Sequence, residues 1–163
     1  MAAAAVTLAR GVPAAAVRAA LATFPGVAHR LEEVARRDGV LYVNDSKATN
    51  VASALVGLRS FAPASVHLIL GGRGPGQDFA ALREEVALRA RASHLIGAEA
   101  PALARALDGL PLVAAGTLER AVAAARAAAQ AGEVALLSPA CKSFDQFADF
   151  EARGDAFRVL ARG

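Results

Sequence analysis

The sequence predicts an α/β protein: a doubly wound, mostly parallel Rossmann-like sheet with helices on both faces and an antiparallel edge hairpin. Short apolar runs bounded by glycine alternate with helical patterns over most of the 163 residues. The runs are continuously apolar, which is typical of parallel strands covered on both faces. A chain of this length is sufficient for one buried core, so we expect one main domain.

Two alanine-rich segments begin the chain and predict helices over about residues 2–9 and 13–23. Gly11 separates them. Pro13 suits a first helical turn because its φ angle is already fixed and its missing amide proton would have no partner there. These helices precede the first strands.

The hairpin is predicted within residues 30–45, where two strand-like runs flank Asp38-Gly39. This dipeptide tolerates the positive φ angles of a tight hairpin turn. Four buried strands are then expected at 66–72, 93–97, 111–116 and 133–139.

Helical patterns lie between these strands, with apolar residues spaced three and four apart. Thr117 is placed to cap one of the helices, because its hydroxyl can accept from a free amide of the first turn. The predicted apolar stripes are Val51, Ala54, Leu55 and Leu58; Phe79, Leu82 and Val86; and Leu118, Val122, Ala125 and Ala129.

Charge and cysteine content argue against several classes of protein. The net charge is +3, from 18 Lys and Arg and 15 Asp and Glu that are mostly interspersed, so no basic stripe for nucleic acid is present. No apolar segment reaches the length that crosses a bilayer. The single cysteine, Cys141, excludes an intrachain disulfide and suits a reducing compartment, so we expect a cytoplasmic protein. The charge pattern and the short apolar segments lead us to expect that it binds neither nucleic acid nor membrane.

Three polar or glycine-rich turns follow predicted strands, at 44–50, 71–78 and 138–146. Ligands of doubly wound sheets bind outside the carboxyl ends of the strands, where the chain turns into the next helix. Each turn alone also fits an ordinary loop with a helix cap. Their recurrence at three strand ends favours a binding site there.

The turn at 44–50 has the most varied chemistry. Asp45 suits a ribose hydroxyl or a metal-bound water, Lys47 a phosphate and Thr49 a carboxylate, beside a helix N-terminus that favours anions. Alternatively, Asp45 and Lys47 pair with each other, and Thr49 or Asn50 only caps the helix.

The other two turns indicate a ligand less specifically. The turn at 71–78 has four glycines in eight residues, yet no Lys-Ser or Lys-Thr follows, so it is not a Walker loop. In the turn at 138–146, backbone amides near four polar residues are expected to face an anion. Four phenylalanines nearby are expected mainly to pack into the core. The polar residues are Ser138, Ser143, Asp145 and Gln146, and the aromatic ones are Phe144, Phe147, Phe150 and Phe157.

Other catalytic sites are disfavoured. Cys141 has no obvious base nearby in sequence, and His29, His67 and His94 lack metal-ligand spacing. No motif of an acyl hydrolase or of a dinucleotide-binding turn is present. We therefore predict no metal site and no catalytic residue within this chain.

Taken together, four segments resemble the C-terminal domain of the Mur ligases, and most closely the members that add D-glutamate. The resemblance spans about residues 24–162. The segments are FPGVAHRLEEV, VNDSKATN, LILGG with its glycine-rich turn, and LLSPACKSFDQFADFEARGDAF.

The resemblance implies a cytoplasmic, monomeric ATP-dependent amide ligase of peptidoglycan synthesis that joins D-glutamate to UDP-N-acetylmuramoyl-L-alanine with ATP and Mg²⁺. In that family the C-terminal domain closes over the nucleotide and brings the amino acid. By position, the nucleotide contacts would be Arg30, Asp45 and Lys47, and the D-glutamate contacts would be Thr49, Ser143, Phe144 and Phe150.

One departure from the family pattern concerns charge. The family turn has a lysine that pairs with the D-glutamate side chain, but this chain has Gly74 and Pro75 where the family has aspartate and lysine. We hypothesise that Arg73 or Lys142 supplies the cation instead.

The second departure concerns the rest of the enzyme. The resemblance implies that residues 1–23 are the last helices of a preceding ATP-binding domain and 24–163 the C-terminal domain, so the isolated chain is expected to be inactive. A sister ligase, folylpolyglutamate synthase or a stand-alone binding module remain alternatives. A Walker motif encoded upstream and in frame would favour a ligase, whereas a natural start at Met1 would favour the module.

Overall fold

Six strands form a single sheet in a computed structural model that describes residues 2–74 and 76–163. The strands are β1 (Glu32–Arg37), β2 (Val40–Asn44), β3 (Val66–Gly71), β4 (Ala90–Ile96), β5 (Leu112–Gly116) and β6 (Val134–Leu137). Their order across the sheet is β1-β2-β6-β3-β4-β5. The β1–β2 pair is antiparallel and the other four pairs are parallel, which confirms the predicted fold class.

Helices cover both faces of the sheet. The helices of the described residues are α1 (Ala2–Ala9), α2 (Ala14–Thr23), α3 (Val51–Leu58), α4 (Arg83–Arg89), α5 (Ala100–Ala106), α6 (Leu118–Ala128) and α7 (Phe150–Arg162), with a 3₁₀ turn at Phe79–Leu82. Helices α3, α4 and α5 pack on one face, and α6 and α7 pack on the other. In the described parts of the chain, no helix combines the length and apolar character needed to cross a bilayer.

The sheet has a hydrophobic core on each face. In β3, Leu68 and Leu70 belong to the core beneath α3 to α5, and Ile69 between them belongs to the core beneath α6 and α7. Successive strand residues point to opposite faces, so a strand covered on both sides needs apolar residues at every position. This explains the continuous apolar runs of β3 and β6, which are buried throughout. The prediction of a buried strand at 111–116 is wrong, because β5 lies at the edge of the sheet and is largely exposed.

The predicted edge hairpin is confirmed. Asp38 and Gly39 connect β1 to β2 with φ angles of 51° and 78°, the left-handed values that a two-residue hairpin turn requires. The pairing register shifts between Glu33 and Ala35, which places a bulge in β1 at the edge of the sheet.

One helix prediction is confirmed in detail and another is modified. The Thr117 hydroxyl accepts from the Arg120 amide, so the predicted cap of α6 is confirmed. The stripe of Phe79, Leu82 and Val86 is fully buried as expected, but it begins as a 3₁₀ turn rather than as an α-helix.

Helices α1 and α2 are confirmed near the predicted bounds and pack against each other. Val17 is the buried residue of α2, while Leu21 and Phe24 are exposed. Met1, the possible natural start considered above, lies outside the described residues.

Candidate functional site

The three predicted turns meet at one end of the sheet. Strands β2, β6 and β3 are neighbours and parallel, so the turns that follow them emerge side by side. Between these turns lies a cleft of about 490 Å³, hereafter the main cleft. Its lining residues are Thr49, Asn50, Arg73, Gly74, Gln77, Lys142 and Phe144.

Backbone pairing brings the two candidate cations to the main cleft. The Arg73 amide donates to the Lys142 carbonyl at 2.8 Å, and the Lys142 amide donates to the Arg73 carbonyl at 2.9 Å. This antiparallel bridge joins the glycine-rich turn to the turn after β6, so both cationic residues border the same cleft. The neighbouring Pro75, where the family lysine was expected, lies outside the described residues.

A second cleft of about 370 Å³ adjoins the first and shares Thr49, Lys142 and Phe144 with it. Its other lining residues are Lys47, Ser143, Asp149, Phe150 and Glu151. Thr49 and Ser143 therefore line one cleft, although they lie far apart in the sequence. The predicted convergence of distant segments is confirmed at the level of geometry.

Asp45 lies in a third cleft, which it shares with Arg30 and Lys47. Its carboxylate accepts from the Ser138 hydroxyl at 2.8 Å and from the Leu31 amide at 3.3 Å. Burial raises the pKa of the Asp45 carboxyl, and these two donors oppose that rise. The side chain is thus a desolvated carboxylate held in a fixed orientation.

Lys47 does not pair with Asp45, so that alternative is wrong. Instead its ammonium lies 3.6 Å from the centroid of the Phe150 ring, a cation–π contact. Lys47 lines both the cleft of Asp45 and the cleft of Ser143, so it lies at the junction of the two predicted subsites. Asn50, not Thr49, caps α3 by accepting from the Ser53 amide.

Arg153 is a buried guanidinium beneath these turns. It donates to the hydroxyl and carbonyl of Ser46 at 2.9 Å each and to the Cys141 carbonyl at 3.0 Å. The Ser46 hydroxyl in turn donates to the Phe150 carbonyl at 2.8 Å. This network ties the turn after β2, the turn after β6 and the start of α7 together.

Gln77 links the turns nearer the surface. Its side-chain nitrogen donates to the Ala140 carbonyl at 2.7 Å, and its side-chain oxygen accepts from the Val51 amide at 3.0 Å. Sequence reasoning missed both Gln77 and Arg153. Arg153 carried a signal, because it shares the buried stripe of α7 with Phe157 and Ala161, where a charged residue is unexpected. Gln77 carried none, since its partners are backbone groups distant in sequence.

Some side chains expected near the anion are engaged elsewhere. Ser138 binds Asp45, Asp145 accepts from the Ala98 amide at 2.9 Å, and Gln146 donates to the Gly116 carbonyl at 2.9 Å. Of the aromatic residues, Phe157 is fully buried and Phe147 packs against the core, as predicted. The packing prediction is wrong for Phe144, which is 59% exposed, and incomplete for Phe150, whose ring contacts Lys47.

The cysteine and the two strand histidines, which could also react, are buried away from solvent. Cys141 is fully buried, and burial raises the pKa of its thiol to about 12, which opposes nucleophilic chemistry. His67 binds Glu133 at 3.0 Å near the start of the parallel strands, and its ring stacks on that of His94. Over residues 2–74 and 76–163, no cluster of three or more potential metal ligands occurs.

Comparison with known proteins identifies a family match over residues 29–141, to the family described as Mur ligase, glutamate ligase domain. A UDP-N-acetylmuramoylalanine--D-glutamate ligase of Myxococcus xanthus is 51% identical over 161 residues, which is 98% of this chain and 35% of the relative. The ligase of the same name from Acidobacterium capsulatum is 49% identical over 92% of this chain and 32% of its own length. The chain therefore spans about a third of these relatives.

Solved structures share the fold at low identity. A UDP-N-acetylmuramate-alanine ligase of Thermotoga maritima matches with a TM-score of 0.65 and 14% identity, over 98% of this chain and 36% of that one. A bifunctional folylpolyglutamate synthase/dihydrofolate synthase of Yersinia pestis matches with a TM-score of 0.63 and 18% identity, over 91% of this chain and 34% of that one.

Proposed function

Because this chain belongs to the Mur ligase family, whose glutamate ligase domain it contains, we propose that it binds D-glutamate and caps the nucleotide in a peptidoglycan ligase. The reaction proposed for the complete protein joins D-glutamate to UDP-N-acetylmuramoyl-L-alanine through an amide bond. The observation that carries this proposal is the main cleft, in which hydroxyl and cationic side chains from three turns face one space. The relatives at about 50% identity carry this activity in their names.

D-Glutamate is assigned to the two adjoining clefts. The Thr49 and Ser143 side chains are the proposed partners of its carboxylates, together with the backbone of Phe144 and Phe150. Hydroxyl groups donate hydrogen bonds to carboxylates and carry no charge that must be neutralised before binding. A dicarboxylic acid spanning both clefts would touch all three turns.

A cation is still needed for an acid with two carboxylates. Arg73 and Lys142 both border the main cleft, and their backbone bridge holds the two segments in fixed register. An arginine offers a planar fork that binds a carboxylate through two parallel bonds, whereas lysine acts as a point charge. We assign the role of the missing lysine to this pair.

The nucleotide is assigned to the third cleft, with Arg30, Asp45 and Lys47 as its proposed contacts. Arg30 and Lys47 supply positive charge for phosphate, and the oriented Asp45 carboxylate accepts from a ribose hydroxyl or a metal-bound water. ATP and Mg²⁺ would be held mainly by other domains of the complete protein. Residues 1–23 are proposed to belong to the preceding domain, which fits the apolar surface that α1 and α2 leave exposed.

The proposal is tested by titrating the ¹⁵N-labelled chain with D-glutamate. We expect amide shift changes concentrated in 44–50, 71–78 and 138–146. In the complete enzyme, Arg73→Ala and Lys142→Ala should together raise the KM for D-glutamate at least tenfold, as about 1.4 kcal/mol of lost binding would. Arg59→Ala is the matched control, because Arg59 is an exposed arginine at the end of α3 that pairs with Glu85 of α4 and lines neither proposed D-glutamate cleft. Wild-type KM values in both single variants and the double variant would contradict the cation assignment.

A further inference from the structure

Gln77 occupies a position that connects all three turns of the candidate site. It belongs to the glycine-rich turn, its oxygen accepts from the first amide of α3, and its nitrogen donates to Ala140 in the turn after β6. The side chain is half-buried and lines the main cleft. One amide group thus crosses the space between two walls of that cleft.

Only an amide of this length satisfies both partners. The Val51 N–H needs an acceptor and the Ala140 carbonyl needs a donor. Glutamate has acceptors without a donor when ionised, lysine has donors without an acceptor, and methionine of similar length has neither in useful strength. The two bonds therefore depend on the chemical nature of the side chain as well as on its size.

Ala140 adds a conformational reason for this link. Its φ angle is 57°, a left-handed value that is uncommon for residues with a side chain and that surrounding contacts must maintain. The bond from Gln77 holds the carbonyl of this residue, two positions before Lys142. The course of the chain between Ala140 and Lys142 in turn determines where Lys142 and Ser143 face the cleft.

We propose that Gln77 is a positioning residue for acid binding, an inference that rests on the proposed function. Its amide fixes the separation between the wall formed by Thr49 and Asn50 and the wall formed by Lys142 and Phe144. Gln77 itself uses its oxygen and one of its two N–H groups within the protein. It acts by holding other residues rather than by selecting the ligand.

Three variants separate the effect of losing the two hydrogen bonds of Gln77 from the effects of side-chain charge and length. Gln77→Met retains length and loses both bonds; Gln77→Glu retains the acceptor for Val51, loses the donor to Ala140 and adds a negative charge. Gln130→Met is the matched control, because Gln130 is an exposed glutamine at the opposite end of the sheet. The probe is D-glutamate, followed by amide shifts of the ¹⁵N-labelled 163-residue chain, and melting temperature reports global stability.

We expect Gln77→Met to weaken D-glutamate binding five- to tenfold while the melting temperature falls by only a few degrees. Gln77→Glu should weaken it at least as much, because it combines the lost bond with repulsion of the acid. Gln130→Met should bind as the wild type does. Wild-type affinity in Gln77→Met would overturn the proposal. If only Gln77→Glu lost affinity, the proposal would also be overturned, because the added negative charge would then explain the loss.

Hydrogen exchange without ligand tests the link independently of the substrate. Amide exchange at Val51 should accelerate in Gln77→Met and stay slow in Gln77→Glu, whereas exchange at Arg73 and Lys142 should accelerate in both. Failure of the wild-type chain to bind D-glutamate would count against the proposed function alone. Unchanged exchange in Gln77→Met would count against the positioning role alone.

Discussion

The Ser138 hydroxyl donates to the Asp45 carboxylate at 2.8 Å, and this bond joins the carboxyl ends of β6 and β2. Asp45 is only 7% exposed, so the charge of its carboxylate is stabilised mainly by this donor, the Leu31 amide and the nearby Arg30. A β-carbon at Gly57 would lie 2.5 Å from Asp45 Oδ2, so α3 also packs tightly against the carboxylate. The orientation of Asp45 is therefore fixed from three sides.

Ser138→Ala should lower the free energy of unfolding by about 1–3 kcal/mol at neutral pH, the usual cost of leaving a buried acceptor short of a donor. The pKa of Asp45 is already raised by burial. The folded state therefore binds this proton more tightly than the unfolded state, and stability falls as the pH rises through the folded pKa. Removing Ser138 raises that pKa further, so the deficit should shrink in acid.

Urea unfolding at several pH values measures this effect. Ser60→Ala is the control, because the Ser60 hydroxyl is exposed and donates only to a helix carbonyl. An equal deficit in both variants, or one that does not change with pH, would contradict the role assigned to Ser138.

Arg153→Met should be strongly destabilising, by roughly 3 kcal/mol, because it leaves the buried Ser46 and Cys141 carbonyls without their donor. Denaturant unfolding of the chain measures this loss in the free energy of unfolding. Arg36→Met removes a surface arginine whose ion pair with Glu33 is exposed, and it should cost less than about 1 kcal/mol. Similar losses in the two variants would show that the buried network contributes little.

His94 should make the chain sensitive to acid. Burial and the neighbouring His67 lower the pKa of His94 from 6.5 to about 4. Between these values the unfolded state binds the proton and the folded state does not, so stability is complete above about pH 6.5 and falls as the pH drops towards 4. The full loss approaches roughly 3 kcal/mol.

Imidazole resonances recorded against pH give the pKa of His94 in the folded state directly. Urea unfolding at several pH values gives the slope of the free energy of unfolding against pH. His94→Phe should flatten the stability curve between pH 6.5 and 4. A measured pKa near 6.5 for His94 would contradict this prediction.

Cys141 should resist alkylation in the native chain. Its thiol is fully buried, and its pKa of about 12 leaves little thiolate at neutral pH. Iodoacetamide labelling followed by mass spectrometry should proceed at least about 100-fold more slowly than in urea, since thiolate fraction and access both limit the rate. Labelling at the rate of a free thiol would show that the turn after β6 opens readily.

The fold was predictable because its signals are local. The turn residues Asp38 and Gly39, the cap at Thr117 and the continuous apolar runs each reflect short-range requirements of backbone and burial. The convergence of three turns followed from the parallel sheet. The roles of individual side chains did not follow, because Gln77 and Arg153 bind backbone carbonyls distant in sequence and Lys47 contacts an aromatic ring. Such partners are determined by tertiary packing alone.

Among the described residues, strand β1 has no neighbouring strand on one side of its backbone, at the outer boundary of the sheet. Its bulge between Glu33 and Ala35 interrupts the regular ladder that another chain would need for pairing, and the flanking Glu32, Arg36 and Arg37 add charges that disfavour stacking. Concentrated samples of this protein should thus resist fibril formation through that strand, even though its other five strands are rich in apolar residues.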